Sequence, residues 1–174
     1  LGPKVLGKLD ASLPTLVERA RSAEPERVEG TLAARGMADA LSALSGRYTL
    51  IATNVPFLGR GKQVDGLKDY IEKQDAGAKG DLATAMLSRL LRLSERGGTV
   101  ADVTPQEWCF LVSYRDFRQS VLGANQLSLF ATLGEEAWEA FGDRGPLAAL
   151  SVWTRQKPNA DDRHSAIDVT NIPD

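Results

Sequence analysis

Short apolar runs, each bounded by Gly, Asn or Pro and separated by stretches of helical periodicity, constrain this chain more than any other feature. Tyr48-Thr49-Leu50-Ile51-Ala52, within 47–53, has the length and apolar content of a buried strand, and so do Thr99 to Thr104 and Leu147 to Thr154. In 126–133, Leu127, Leu129, Ala131 and Leu133 alternate with Ser128, Phe130 and Thr132, a further strand. Val64 to Gln74 reads as a helix with Leu67, Tyr70 and Ile71 inward. A second helix is capped by Asp81 and stopped by Gly97-Gly98; in it Leu82, Met86, Leu90 and Leu93 recur with Leu87 and Leu91 beside them. Pro105 ends the second strand, and Phe110, Tyr114, Phe117 and Val121 make one apolar face of the helix that follows. A short helix at 135–141 and a turn at 142–146 lead into the last strand. Strands alternating with helices predict an α/β sheet with parallel pairs, in which ligands gather at the carboxyl ends of the strands. The loops after Thr53 and Thr104 are therefore the places to expect chemistry.

The segment 1–46 is helical in pattern and forms a region of its own. Ser12 or Asp10 caps a first helix with Pro14 in its first turn; Pro25 opens a second, on which Val28, Leu32, Met37, Leu41 and Leu44 fall near one face. Residues 47–157 make the sheet region, and 158–174 form a polar tail expected to leave the core. The first residue is Leu1 and the first methionine Met37, which reads as a segment of a larger product.

Composition removes several classes. One cysteine, Cys109, closes no intrachain disulfide, and with a single histidine, His164, the chain offers no zinc cluster and no Cys-His pair near in sequence. No metal is expected. Cys109 is expected to be buried and inert, and His164, in the polar tail, is no credible general base. No apolar run approaches the ~18 residues of a membrane span, and no secretory leader is evident. A cytoplasmic protein is expected. A net charge of -2 argues against bulk electrostatic binding of nucleic acid, though not against a local basic stripe.

The loop Asn54-Val55-Pro56-Phe57-Leu58-Gly59-Arg60-Gly61-Lys62 follows the first buried strand. An asparagine amide oxygen and the next residue's carbonyl can take the two hydrogens of an exocyclic amino group, while Phe57 offers a flat stacking surface. Pro56 stiffens the loop so that these groups are held in place before binding. Acceptors on both N–H groups turn the nitrogen lone pair outward and raise its nucleophilicity. The same residues also fit a plain strand-to-helix turn in which Asn54 bonds local backbone and Phe57 is core.

These residues resemble the N6-adenine-specific DNA methyltransferases, whose signature is (Asn/Asp/Ser)-Pro-Pro-(Tyr/Phe) at the end of a central strand. Thr53-Asn54-Val55-Pro56-Phe57-Leu58 stands in its place. Gly59 to Gln63, Lys79-Gly80-Asp81-Leu82-Ala83-Thr84, Gly97 to Trp108, Leu133-Gly134 and Ala137 to Phe141 are similar to the long enzymes of restriction-modification and BREX-type phage-defence systems. The resemblance runs from about Tyr48 to Thr154. It implies a partial methyltransferase-type (Rossmann-like) three-layer α/β domain with a mixed, mostly parallel sheet, supplying the fourth to seventh strands. It implies methyl transfer from S-adenosylmethionine to a flipped-out adenine in DNA. Asn54 and the Val55 carbonyl would bind the amino group, Pro56 would shape the loop and Phe57 would stack on the base. Val55 replaces the usual first proline; the carbonyl is retained and some rigidity is lost.

Arg60 and Lys62 read as phosphate contacts beside the flipped nucleotide, or equally as solvated loop charges. Asp81 reads as an N-cap rather than a chemical group. Gln106 or Trp108 could line the cleft, although Trp108 and Phe110 suit the core. Gly59, Gly61 and Gly66 do not make a dinucleotide fingerprint, since the third glycine comes too late, and Gly61-Lys62-Gln63 is no phosphate loop. The family's glycine-rich donor loop is not found before Arg47, so the donor site is expected to lie largely outside the chain and the isolated segment to be inactive. The partners implied are DNA and the rest of the parent enzyme. The first strand would present an apolar edge open to self-association. Other readings are a glutamine side-chain methyltransferase, or a non-catalytic DNA-binding or assembly module that kept the fold.

Overall fold

The computed structural model describes residues 25–133 and 146–170. The expected first helix with its Ser12 or Asp10 cap, the Gly134 and Ala137–Phe141 motifs, the helix at 135–141 and most of the 142–146 turn lie outside the described residues. The chain divides between Gly46 and Arg47 into two units. In the first, helix α1 (Pro25–Ser45) begins at the proline, and Met37, Leu41 and Leu44 are exposed along it.

In the second unit, β1 (Tyr48–Asn54) is followed by a 3-10 turn at Arg60–Lys62, α2 (Asp65–Gln74), a 3-10 turn at Ala76–Ala78 and α3 (Leu82–Leu93). Then come β2 (Ser94–Pro105), the short α4 (Glu107–Phe110), a 3-10 turn at Val112–Tyr114, α5 (Arg115–Ala124), β3 (Gln126–Thr132), β4 (Ala148–Thr154) and β5 (Ser165–Asp168). The strands lie in the order β1-β2-β4-β3-β5. β1 runs parallel to β2 and β3 to β5, while β4 is antiparallel to both of its neighbours. All strands but β4 therefore point the same way, and the ends of β1 and β2 fall together.

Successive side chains of a strand alternate between faces, and the registers align them in cross-strand rows. Thr53, Asp102, Ser151, Phe130 and Ala166 form one row; Asn54, Val103, Leu150, Ala131 and Ile167 form the next, on the opposite face. The first face is the core. Leu87 and Leu91 of α3 and Phe117 and Val121 of α5 pack there with Val100, Trp108 and Trp153. Trp108 meets Phe117 edge-on at 5.5 Å between ring centroids. On the opposite face Leu150 and Ile167 are exposed, and Leu50 is 65% exposed.

Several expectations are corrected by this arrangement. Gly97-Gly98 does not stop α3: the helix ends at Leu93, and its C-cap Ser94, with extended backbone, already starts β2. Gly97 takes φ +78, a conformation glycine adopts without strain, and a Cβ on Gly98 would stand 3.0 Å from the Tyr48 carbonyl, so both glycines serve the bulged entrance of β2. The single helix expected over Phe110 to Val121 is broken after Phe110, which is 64% exposed. Tyr70, expected inward, is exposed, and Ile71 carries the contact of α2. Outside the core, the polar tail adds a fully exposed edge strand, β5, parallel to β3. Backbone pairing and a Thr132 Oγ1 to Asp168 Oδ1 hydrogen bond of 2.8 Å hold it there, and its four residues are all exposed, so no burial pattern marked it in the sequence.

Candidate active site

β1 ends at Asn54, beside Val103 of β2, and the next peptide stays in the ladder: Val55 N–H donates to the Val103 carbonyl at 3.4 Å. Val55 is buried at 3% exposure, whereas Asn54 and Pro56 are exposed and Phe57 is half-buried. The valine thus does what the usual proline cannot. It has an N–H to extend the β1–β2 ladder and a side chain to fill the space under the loop, which offsets the rigidity a proline ring would add.

Beyond Phe57 the chain lies against the start of α3. Leu58 N–H donates to Asp81 Oδ1 at 3.2 Å, Leu82 N–H donates back to the Leu58 carbonyl at 3.0 Å, and Arg60 N–H donates to the Gly80 carbonyl at 3.0 Å. Gln63, 4% exposed, donates through Nε2 to the Leu58 carbonyl at 2.9 Å. Asp81 also caps α3 by accepting from Ala83 N–H at 2.8 Å, as its place before the leucine pattern predicts.

Arg60 and Lys62 lie in the 3-10 turn of the same loop. Arg60 pairs with Glu72 at 2.8 Å, and Lys79 reaches the other oxygen of Glu72 at 2.8 Å. The hydrogen bonds from Lys79 and then Arg60 hold the Glu72 carboxyl below the usual carboxylate range. Lys62 is exposed.

At the end of β2, Trp108 is core rather than cleft: its Nε1–H donates to Thr104 Oγ1 at 2.9 Å. Gln106 is half-buried at the strand end, and its Oε1 has no hydrogen-bond partner among the described residues. Cys109 is half-buried, and burial pushes its thiol up to about 12, so it is no nucleophile at neutral pH. His164 is exposed.

Sequence reasoning missed one buried group. Asp102 of β2 is 3% exposed and lies in the row beneath Thr53; its Oδ1 accepts from Ser151 Oγ–H, which in turn accepts from Trp153 Nε1–H at 2.7 Å. Burial pushes the Asp102 carboxyl up to about 6, against the opposing pull of the Ser151 hydrogen bond. An aspartate amid Thr99-Val100-Ala101 and Val103-Thr104 was the available signal.

β1 opens into a loop folded onto the head of α3. Among the described residues no cluster of His, Cys, Asp or Glu could hold a metal, and no helix is long and apolar enough to cross a membrane.

In fold the chain is similar to class I S-adenosylmethionine-dependent methyltransferases. A Listeria monocytogenes protein described in those terms superposes with a TM-score of 0.54 at 8% identity, over 75% of this chain and 39% of its own. The M protein of the type I restriction enzyme EcoKI superposes with a TM-score of 0.51 at 16% identity, over 71% of this chain and 25% of its own. In sequence, the homologues are adenine-specific methyltransferases. PglX of Lacticaseibacillus casei (strain Zhang) is 31% identical over 115 residues, 66% of this chain and 10% of the relative. BrxX of Escherichia coli O9:H4 (strain HS) is 32% identical over 111 residues, 63% of this chain and 9% of the relative. The chain spans about a tenth of the length of these curated relatives. No family model matches it.

Proposed function

We propose that this chain is the acceptor half of the catalytic domain of a DNA adenine-N6 methyltransferase, working in the cytoplasm within a restriction-modification or phage-defence system. The observation that carries the reading is Asn54-Val55-Pro56-Phe57 at the carboxyl end of β1, with Asn54 and Pro56 exposed and Val55 anchoring the turn. The Asn54 amide oxygen and the Val55 carbonyl accept the two hydrogens of the adenine amino group. Phe57 stacks on the extruded base, and Pro56 holds the two acceptors at a fixed spacing. Such positioning lowers the barrier without a strong general base, because the loop's dipoles are set before the base arrives.

S-adenosylmethionine supplies the methyl group and is held largely by residues outside this chain. Duplex DNA is the substrate, with Lys62, and Arg60 when released from Glu72, on phosphates beside the flipped nucleotide. The rest of the parent enzyme is a partner, and a second copy can add to the β1 edge, where Leu50 is exposed. A monomer by sedimentation at high concentration overturns that last assignment.

The test is transfer of labelled methyl from S-adenosylmethionine to DNA by the full-length protein. Asn54→Ala is expected to abolish transfer with donor affinity nearly intact; retained transfer removes Asn54 from the role. A full-length protein that binds no S-adenosylmethionine overturns the methyltransferase reading.

A further inference from the structure

Asp81 serves two masters. As a helix cap it needs only one oxygen near Ala83 N–H, at 2.8 Å. The same Oδ1 also takes Leu58 N–H, at 3.2 Å, from a loop 23 residues away. Around that bond, Gly59 and Asp81 form an isolated antiparallel bridge, and Leu82 N–H returns to the Leu58 carbonyl. Leu58, the residue next to Phe57, is therefore gripped on both its N–H and its C=O.

The gripping side is itself fixed to the core. Thr84 Oγ1, buried, lies 2.8 Å from the Asp81 carbonyl and 2.7 Å from that of Ala78. Tyr114 lies so close over Gly80 that a Cβ there would stand 2.5 Å from its hydroxyl, and its ring meets Phe117 at 6.4 Å. A continuous path of packed groups runs from Phe117 through Tyr114, Gly80 and Asp81 to Leu58, and so to the loop that begins at Asn54.

From this we infer that Asp81 is a positioning residue for the acceptor loop: its carboxylate ties Leu58 to the head of α3 and thereby sets where Asn54, the Val55 carbonyl and Phe57 stand. The inference rests on the reading of Asn54–Phe57 as the acceptor loop. Capping and clamping are separable. Serine caps a helix as well as aspartate, but its oxygen sits one bond nearer the backbone and falls short of Leu58 N–H. Asparagine keeps the acceptor at full reach.

The experiment uses the full-length protein as wild type, Asp81→Ser and Asp81→Asn, with hydrogen exchange of a peptide covering 57–62 and the kcat and KM of methyl transfer to DNA. Asp81→Ser is expected to lose protection at Leu58 and to lower kcat on the order of 10²-fold, the scale of an ångström of misplacement, with donor affinity unchanged. Asp81→Asn is expected to restore both. Wild-type protection in Asp81→Ser, lost protection with unchanged kcat, or equal damage from Asp81→Asn each overturns the inference. If Asp81→Ser does not fold, Gln63→Met, which removes the other side-chain bond to Leu58 and no cap, is read instead. A smaller loss in the same two readouts supports the clamp, and wild-type values overturn it. A wild-type protein that transfers no methyl group defeats the acceptor-loop reading, while exchange at Leu58 still decides the clamp.

Discussion

Asp102→Asn isolates the cost of one buried charge. The carboxyl sits in the middle of β2 at 3% exposure, and its Oδ2 has no hydrogen-bond partner among the described residues. Burial raises it from 3.8 to about 6. A group raised in the folded state keeps its proton over a window in which the unfolded chain has already lost it. The folded state therefore binds more protons between about pH 4 and 6, and stability falls as pH rises through that window. By about pH 7 the full penalty is present, roughly 3 kcal/mol for a shift of this size. Asparagine carries no such penalty, and its oxygen still accepts from Ser151; its amide N–H adds a pH-independent cost of about 1–3 kcal/mol where Oδ2 now lies. Urea unfolding followed by the fluorescence of Trp108 and Trp153, which flank this network, measures both proteins at pH 4 and pH 8. The difference in stability between Asn and Asp is expected to shift toward the variant by roughly 2.5 kcal/mol between those two pH values, since a little of the penalty is already present at pH 4. Other carboxylates titrate in both proteins and cancel, and so does the amide cost. A difference that stays constant with pH refutes the argument that the carboxyl is buried and raised.

Other outcomes follow from particular contacts. Val55→Pro, which restores the usual signature, removes the N–H donated to Val103 and the buried side chain, and is expected to lower stability by about 1–3 kcal/mol in denaturant unfolding. Phe117→Ala, at the centre of the core, is expected to cost about 3–5 kcal/mol in the same assay. Gly98→Ala drives a Cβ to 3.0 Å from the Tyr48 carbonyl and 2.6 Å from Ser94 Oγ; the expected result is faster hydrogen exchange at the start of β1, with α5 unchanged. Glu72→Gln releases Arg60 and Lys79 at an exposed site. It is expected to leave the melting temperature unchanged and to strengthen DNA binding with a steeper salt dependence, measured by titration over a range of salt.

Apolar patterning was enough to read the strands and the helices between them, because β2, β3 and β4 carry buried residues and α3 carries its leucines at helical spacing; β1, expected to be buried, has no buried residue and is marked only by its apolar composition. It located the Asn54–Phe57 loop for the same reason, since a strand end in a parallel sheet is a place rather than a residue type. It failed where burial stops informing. β5 is held by backbone pairing and the Thr132–Asp168 bond with every residue exposed. Phe110 is as apolar as Phe117, yet the break after it turns it outward. The double use of Asp81 was invisible as well: a capping aspartate looks the same in sequence whether or not a second N–H arrives from far along the chain.

Val55 shows how local departure and tertiary context trade against each other. Read alone, valine in place of proline loosens the Asn54–Phe57 loop, because the ring's fixed φ is gone. In the fold, the N–H that proline lacks is the group that reaches Val103, and the side chain that proline would shorten lies buried under the turn. One ladder bond at 3.4 Å is weak, of order 1 kcal/mol or less. It acts together with the two backbone bonds and the Leu58 N–H to Asp81 Oδ1 bond that fasten Leu58 and Arg60 to 80–82 on the far side of Pro56 and Phe57. The loop is thus tethered at both ends, to β2 before the proline and to the head of α3 after the phenylalanine. Only Pro56 and Phe57 lie between the tethers, so the loop keeps little backbone freedom although valine stands where the signature it resembles has a first proline.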